Sequence, residues 1–291
     1  MYKTFKKKSN RNKSKKYIKT ACGPGRENSY TCYNNNALFY LKKKWNLKYP
    51  NKLISSNNPR DIWKVLNNYL KHICRRESCW LRREFVKHSL PFELSHYTFA
   101  PKAPLKWREN PNEWLTSEDI NNVMNQYENY YKDFDFIGPS PIDYDTRTHG
   151  GECVWDELCN FDLNSSIKKG KKKIGIIFNL DPHYKGGSHW VSLFINIPKQ
   201  IILYFDSTGA NIPKQIKKFA NKVIEQSNLL NIPMKLTVNK VEHQKKNTEC
   251  GIYSLFFIIK MIKMNTPTLF DTRISDEEIF KFRKKYFTLY L

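Results

Sequence analysis

The sequence predicts an α+β protein in which a mixed sheet flanked by helices follows a mostly helical N-terminal part. Two observations predict this class. Three β-rich runs stand in quick succession after residue 173, and helical patterns of apolar residues lie on both sides of them. With 291 residues, of which 40% are hydrophobic, the chain is long enough for a folded domain and an accessory region.

The N-terminal part shows two helical patterns. Residues 61–73 carry apolar side chains at helical spacing, and Pro59 just before them suits a helix start. Thr116 and Asp119 resemble a capping box, so we expect a helix over about residues 117–131.

Prolines and glycines interrupt the patterns elsewhere in this part. Residues 97–111 contain three prolines and predict an extended connector. Residues 136–151 contain Gly138, Pro139 and Pro141 and predict a loop.

The C-terminal half alternates between β-rich and helical segments. Turn-forming residues separate the β-rich runs, so these runs are expected to be neighbouring strands of one sheet. The predicted strands are residues 173–180, 188–197, 200–205 and 234–238, and the predicted helices are residues 212–228, 250–264 and a last one capped by Ser275. We therefore expect a tail at residues 1–20, a mostly helical region at 21–144 and a domain containing the sheet at 145–291.

The charge of the chain is strongly positive. Its formal net charge is +23, from 50 Lys and Arg against 27 Asp and Glu, and nine of the basic residues lie within residues 1–20, where no acid occurs. Such a block is typical of a disordered tail, which is either passive or an arm that contacts nucleic acid non-specifically. Both interpretations stay open.

The seven cysteines do not predict a disulfide framework. Their number is odd, and the lysine-rich start of the chain lacks the apolar segment of a secretory signal. We therefore expect free thiols in a reducing compartment, and no membrane span, since no run of 18 apolar residues occurs. Cys74 and Cys79 lie near His72, but this spacing does not match a standard zinc site, so neither a metal nor a cofactor is expected.

Cys250 is the candidate nucleophile because it opens a predicted apolar helix. The partial positive charge at a helix N-terminus favours the reactive thiolate. The next residue, Gly251, would let a substrate carbonyl approach the backbone, where the N–H of Cys250 can donate to a developing oxyanion. Taken alone, a cysteine in such a place is more often a buried packing residue.

His189 and Asp206 are the candidate general base and its orienting carboxylate. His189 stands near the start of one predicted strand, and Asp206 ends the next. If these strands are neighbours, the two side chains meet at one rim of the sheet, where the carboxylate fixes the imidazole tautomer. Each residue alone also has an ordinary explanation, as a structural histidine and as a turn aspartate.

Gln244 is the candidate oxyanion donor, since its amide lies on the loop that leads to Cys250. A glutamine in a lysine-rich loop indicates nothing by itself. Together, however, the four residues supply the groups that acyl transfer by a thiolate requires, in matching element contexts.

At this point the chain resembles a known group, the ubiquitin-like-protein (SUMO) protease and adenovirus protease superfamily. The similarity covers about residues 173–290 and points in particular to core-protein proteases of large DNA viruses, such as giant viruses and African swine fever virus. The motifs that carry it are Gly187-Ser188-His189-Trp190, Phe205-Asp206-Ser207, and Gln244 with Cys250-Gly251-Ile252-Tyr253.

The resemblance implies a papain-like α+β fold and a Cys-His-Asp thiol protease that cleaves after Gly-Gly. By analogy with viral relatives, residues 21–144 are an accessory region and residues 145–291 are the catalytic domain. It implies viral structural precursors as substrates during virion maturation, and a location in the virion and the host cytoplasm. By the same analogy, Trp190 and Gly251 line the channel for the substrate glycines, although core packing is the other interpretation of Trp190. Glu249 departs from the pattern, since relatives commonly carry Asp before the cysteine.

Two other functions stay open. A deubiquitinase- or deSUMOylase-type isopeptidase acting on ubiquitin-like modifiers would use the same four residues. A non-catalytic nucleic-acid-binding protein on a protease scaffold is the other, although an inactive scaffold need not keep all four. The basic charge favours the first function, since phosphate groups would retain such a protease among nucleic acid.

Overall fold

The computed structural model describes residues 20–27, 29–264 and 271–289. The prediction of a basic tail falls on residues 1–20, of which 1–19 lie outside the described residues. The described residues form two compact units. The first holds the residues up to Phe99 except Gly23–Glu27, and the second holds Gly23–Glu27 and the residues from Ala100 onward.

The first unit is built from helices, as expected. Its α-helices are α1 (Asn35–Lys48), α2 (Pro59–Leu70) and α3 (Phe92–His96). The Asn34 side chain accepts a hydrogen bond from the Ala37 N–H at 2.8 Å and so begins α1. The Asn58 side chain caps α2 in the same way, and Pro59 takes the first helical position, where its missing N–H costs nothing.

The expectation of free thiols is wrong for six of the seven cysteines. Three disulfides join Cys22 to Cys32, Cys74 to Cys79, and Cys153 to Cys159. Their Cα–Cα separations of 5.0, 5.5 and 6.3 Å lie in the range that a disulfide spans. The sequence argument rested on the odd number of cysteines and the missing apolar leader, and neither indicates which cysteines come close when local turns fold.

The second unit contains the sheet and the remaining helices. Among the described residues the sheet has five strands in the order β1-β2-β3-β4-β5, with parallel outer pairs and antiparallel inner pairs. The strands are β1 (Phe134–Pro141), β2 (Lys173–Asn179), β3 (Trp190–Asn196), β4 (Ile201–Phe205) and β5 (Lys235–Val238). The helices are α4 (Ser117–Tyr130), α5 (Asp156–Cys159), α6 (Leu163–Lys168), α7 (Lys214–Leu229), α8 (Cys250–Lys263), α9 (Asp276–Phe280) and α10 (Arg283–Tyr286).

The sheet is buried on both faces because helices cover each of them. Phe194 and Phe205 pack with α8 and α4 on one face, whereas Leu193 and Tyr204 pack with α7 on the other. This alternation follows from the period of two along a strand. Every residue of β3 is buried, which accounts for its continuous apolar run. No helix in the described ranges is long and apolar enough to cross a membrane.

Strand β1 corrects one prediction. Residues 136–151 were expected to form a loop, but residues 136–141 complete a strand that pairs with β2. The register shifts between Ile137 and Ser140, where Gly138 and Pro139 lie, so the sheet accommodates the residues that suggested a loop. The second unit therefore begins well before the expected domain boundary at residue 145.

Candidate active site

Cys250 is the first residue of α8 and is only 2% exposed. It is also the one free cysteine of the described chain. The helix that follows is almost entirely buried and packs against β3, so the position of the cysteine is fixed by the core. Its backbone N–H belongs to the first turn, where amide donors have no partner inside the helix.

His189 and Asp206 meet at one rim of the sheet, as the sequence predicted. Strands β3 and β4 are antiparallel with Ser192 opposite Phe205, so the residue before β3 and the residue after β4 lie at the same edge. The His189 Nε2 atom lies 2.8 Å from Asp206 Oδ1. Asp206 is 1% exposed and also accepts bonds from the Thr208 N–H and hydroxyl, each at 2.8 Å.

The Asp206 carboxyl is held in its charged form. Burial alone would raise its pKa, but the hydrogen bond and charge of His189, with the two bonds from Thr208, outweigh burial and lower the pKa. The acceptor that orients the imidazole is therefore a carboxylate.

The imidazole of His189 joins Asp206 to Cys250. Burial lowers the pKa of His189, but hydrogen bonds to the Asp206 and Cys250 side chains and the charges of both raise it to about 9. The charged imidazolium of His189 is therefore favoured at neutral pH. A thiol, an imidazole and a carboxylate thus lie together, which are the groups that a nucleophile, its acid–base partner and an orienting residue require.

Gln244 lies beside this set and is held through Ser207. Its Oε1 atom accepts a bond from the Ser207 hydroxyl at 2.7 Å, and its Nε2 atom donates to the Lys246 carbonyl. The backbone N–H of Gln244 donates to the Ser207 carbonyl at 2.8 Å. The amide is thus held at both ends.

Trp190 and Gly251 pack against Leu115. Trp190 is 6% exposed, belongs to the core on the α8 face, and donates from Nε1 to the Leu115 carbonyl at 3.0 Å. A Cβ at Gly251 would lie 3.1 Å from Leu115 atoms and 3.2 Å from Trp190 Cδ1. Close packing therefore favours glycine at this position, and Trp190 packs within the core.

Sequence reasoning missed the partner of Glu249. Glu249 and Arg283 are each 2% exposed and form a buried ion pair, with Arg283 Nη2 2.8 Å from Glu249 Oε1. The guanidinium also donates to the carbonyls of Pro111 and Glu113 and stands 4.3 Å from the centre of the Trp107 ring. This cluster anchors the residue just before Cys250.

Asp276 fixes the loop that carries Gln244. This buried carboxylate accepts hydrogen bonds from the backbone N–H groups of Lys245 and Lys246 at 3.0 and 3.3 Å. The first turn of α9 therefore holds the loop in place. The sequence placed Asp276 only in the first turn of a predicted helix, and this position does not indicate its hydrogen-bond partners.

Comparisons with known proteins identify the family of the chain. The family described as Ulp1 protease family, C-terminal catalytic domain, matches residues 121–290. A thiol protease of Acanthamoeba polyphaga mimivirus is 30% identical over 293 aligned positions, which cover 91% of this chain and 92% of the relative. A cysteine protease of African swine fever virus is 33% identical over 251 positions, covering 79% of this chain and 90% of that protein.

A solved structure gives the same fold. The crystal structure of a protease from African swine fever virus superposes with a TM-score of 0.61 at 22% identity, covering 93% of this chain and 96% of the other. The expected α+β protease fold is therefore confirmed. Because the family matches more than half of its length, the chain belongs to the Ulp1 protease family of cysteine proteases.

Proposed function

We propose that the chain is a thiol endopeptidase that cleaves after Gly-Gly in structural precursor proteins, with Cys250, His189 and Asp206 as its triad. The observation that carries this proposal is the imidazole of His189, which lies 2.8 Å from the Asp206 carboxylate and interacts electrostatically with Cys250. The viral origin of the relatives supports precursor processing as the task.

In the first step the Cys250 thiolate attacks the carbonyl carbon of the scissile glycine. The new C–S bond forms as the carbonyl π electrons move to oxygen, and the oxyanion accepts from the Cys250 N–H and from Gln244 Nε2. The tetrahedral intermediate collapses when the C–N bond breaks and the His189 imidazolium gives its proton to the departing amine.

In the second step water releases the acyl group. Neutral His189 takes a proton from water as the oxygen attacks the thioester carbonyl, and the C–S bond breaks to restore the thiolate and the imidazolium. Asp206 stays charged throughout and holds the imidazole in place.

The close packing around Cys250 supports glycine at the cleavage site. The sulfur-bearing residue is 2% exposed, and Leu115 and Trp190 stand against the neighbouring Gly251. A substrate segment that reaches the sulfur in so narrow a space is best made of residues without Cβ atoms. Glycine is the residue that meets this condition.

A second candidate function is the removal of ubiquitin-like modifiers. An African swine fever virus relative that is 34% identical over 128 residues is named a SUMO-1 cysteine protease. The same catalytic residues would hydrolyse an isopeptide bond after the modifier's C-terminal glycine.

Two substrates separate these functions. We expect hydrolysis of peptides with Gly-Gly before the scissile bond, and loss of cleavage when the glycine next to that bond becomes Ala. The second substrate is a ubiquitin-like modifier with a fluorophore on its C-terminus. Efficient release from the modifier with slow peptide cleavage would favour deconjugation.

Cys250→Ala is the control for both assays. If this variant cleaves either substrate at the wild-type rate, the proposed nucleophile is wrong. Cleavage that tolerates Ala at the scissile position would contradict the Gly-Gly specificity while leaving the triad in place.

A further inference from the structure

A basic pocket lies on the second unit, on the face of the sheet away from α8. Its volume is about 720 Å³, which is within the range of sites for small ligands. Helix α7 forms one wall, and the segment around Tyr144 and Leu158 forms the other. Because α7 and α8 pack on opposite faces of the sheet, an occupant would not obstruct Cys250.

The lining of the pocket is strongly cationic. Two acids, Asp145 and Glu225, stand among five basic residues, so the lining has a net charge of +3. The five basic residues are Arg147, Lys214, Lys217, Lys218 and Lys222. The four lysines lie on α7, where three of them are spaced four residues apart, and this spacing brings them to one face of the helix.

Only part of this charge is matched by the protein. Lys218 pairs with Asp145 at 2.7 Å, and Lys222 donates to the Cys159 carbonyl at 2.8 Å. Burial lowers the pKa of Lys222, and the charge of Asp162 opposes this shift only in part. Lys214 and Lys217 make no ion pair with the described residues, and both are exposed in the first turn of α7.

The position of these lysines is unfavourable without an anion. The N-terminus of a helix carries partial positive charge, so cations in the first turn are repelled. Helix α7 has no acid in its first turn, whereas α9 has three. An anion in the pocket would offset both the repulsion among the lysines and their repulsion by the helix.

We propose that this pocket binds a small ligand carrying two or more phosphate groups. A phosphate monoester carries about −1.5 to −2 at neutral pH, so two groups balance the net charge of the lining. Lysines bind phosphate as point charges and the Arg147 guanidinium as a planar donor, while Tyr144 and Leu158 give an apolar floor. This proposal does not depend on the protease activity.

Calorimetry with inorganic tripolyphosphate tests the proposal on the full chain at physiological salt. We expect binding at one site, and about 10-fold weaker binding by the double variant Lys214→Gln with Lys217→Gln. The matched control is Lys169→Gln with Lys235→Gln, which removes the same charge from exposed positions outside the pocket. Arg147→Gln is a second pocket variant, expected to weaken binding in the same direction.

Three results would overturn the proposal. One is the absence of heat from tripolyphosphate binding, and another is an equal loss in the pocket and control variants, which indicates diffuse attraction. The third is tighter binding of duplex DNA than of tripolyphosphate, together with weaker DNA binding by the pocket variants. The pocket would then belong to a nucleic-acid surface.

Discussion

At the level of single residues, the charge state of His189 governs the proposed chemistry. Its pKa is raised to about 9 by Asp206 and Cys250 despite burial. The imidazolium is therefore present below pH 9, and it is lost as the pH rises through that value. The raised pKa stabilises the folded protein, and this contribution is fully present below about pH 6.5, the unperturbed pKa of histidine.

Replacing Asp206 with Asn should move the alkaline limit of activity. We expect kcat/KM of the wild type to fall above about pH 9, with the His189 pKa. In Asp206→Asn the negative charge is gone, so the His189 pKa falls and the alkaline limb shifts to lower pH. A pH profile of Gly-Gly peptide hydrolysis measures both limbs, and coinciding alkaline limbs in the two proteins would contradict this account.

Ser207 should act through Gln244. Its hydroxyl donates to Gln244 Oε1 at 2.7 Å and so turns the amide nitrogen to the other side. Ser207→Ala is expected to lower kcat about 10-fold with little change in KM, less than the roughly 10²- to 10³-fold loss expected for Gln244→Ala.

The control for this effect is a second buried serine. Ser192→Ala removes a hydroxyl that contacts the Ser254 carbonyl instead, and it should leave kcat nearly unchanged. The variant with both Ser207→Ala and Gln244→Ala should be no slower than Gln244→Ala alone. Additive losses in that variant would show that Ser207 acts independently of the amide.

At the level of secondary-structure elements, α10 holds the start of α8 through Arg283. Arg283→Met would leave the Glu249 carboxylate buried without its partner, which typically costs about 3–5 kcal/mol. We expect a loss of that size in the free energy of unfolding, measured by urea denaturation. The neighbouring exposed Lys284→Met should change it by less than about 0.5 kcal/mol, and equal effects of the two would be inconsistent with a buried anchor.

Element patterns in the sequence predicted most of this fold. The strands β2, β3 and β4 and the helices α4, α7 and α8 all lie where periodicity and caps indicated, because each has a long and regular pattern. The structure contains β1 in a segment with a glycine and two prolines, which local rules assign to a loop. The predicted last helix is two short ones, α9 and α10, that meet near Phe282.

The catalytic candidates were predictable from their order in the chain and from their positions at the ends of predicted strands and helices. His189 and Asp206 flank neighbouring antiparallel strands, so their meeting follows from topology. The contacts of Arg283 and Asp276 were not predictable, since each reaches a partner about 30 positions away in sequence. Such pairings depend on tertiary packing, which leaves no local pattern.

At the level of the whole molecule, the net charge of +23 predicts a salt-dependent affinity for polyanions. Removing residues 1–20 deletes nine Lys and Arg. If this tail binds nucleic acid, the slope of log affinity against log salt for duplex DNA should fall by about 0.9 for each phosphate that the shortened protein no longer neutralises. A full-length protein with those nine residues changed to Gln should match the deletion, and an unchanged slope would make the tail passive.

The central claim is that the Cys250 sulfur and the His189 imidazole act as a pair, and alkylation of the sulfur tests it most directly. Iodoacetamide at pH 7, followed by mass spectrometry, reports the rate at Cys250, with denatured protein as the reference for intrinsic reactivity. The account predicts that His189→Ala slows alkylation of folded Cys250 at least about 10-fold, because the imidazolium that stabilises the thiolate is gone. Equal rates in the wild type and in His189→Ala would contradict it.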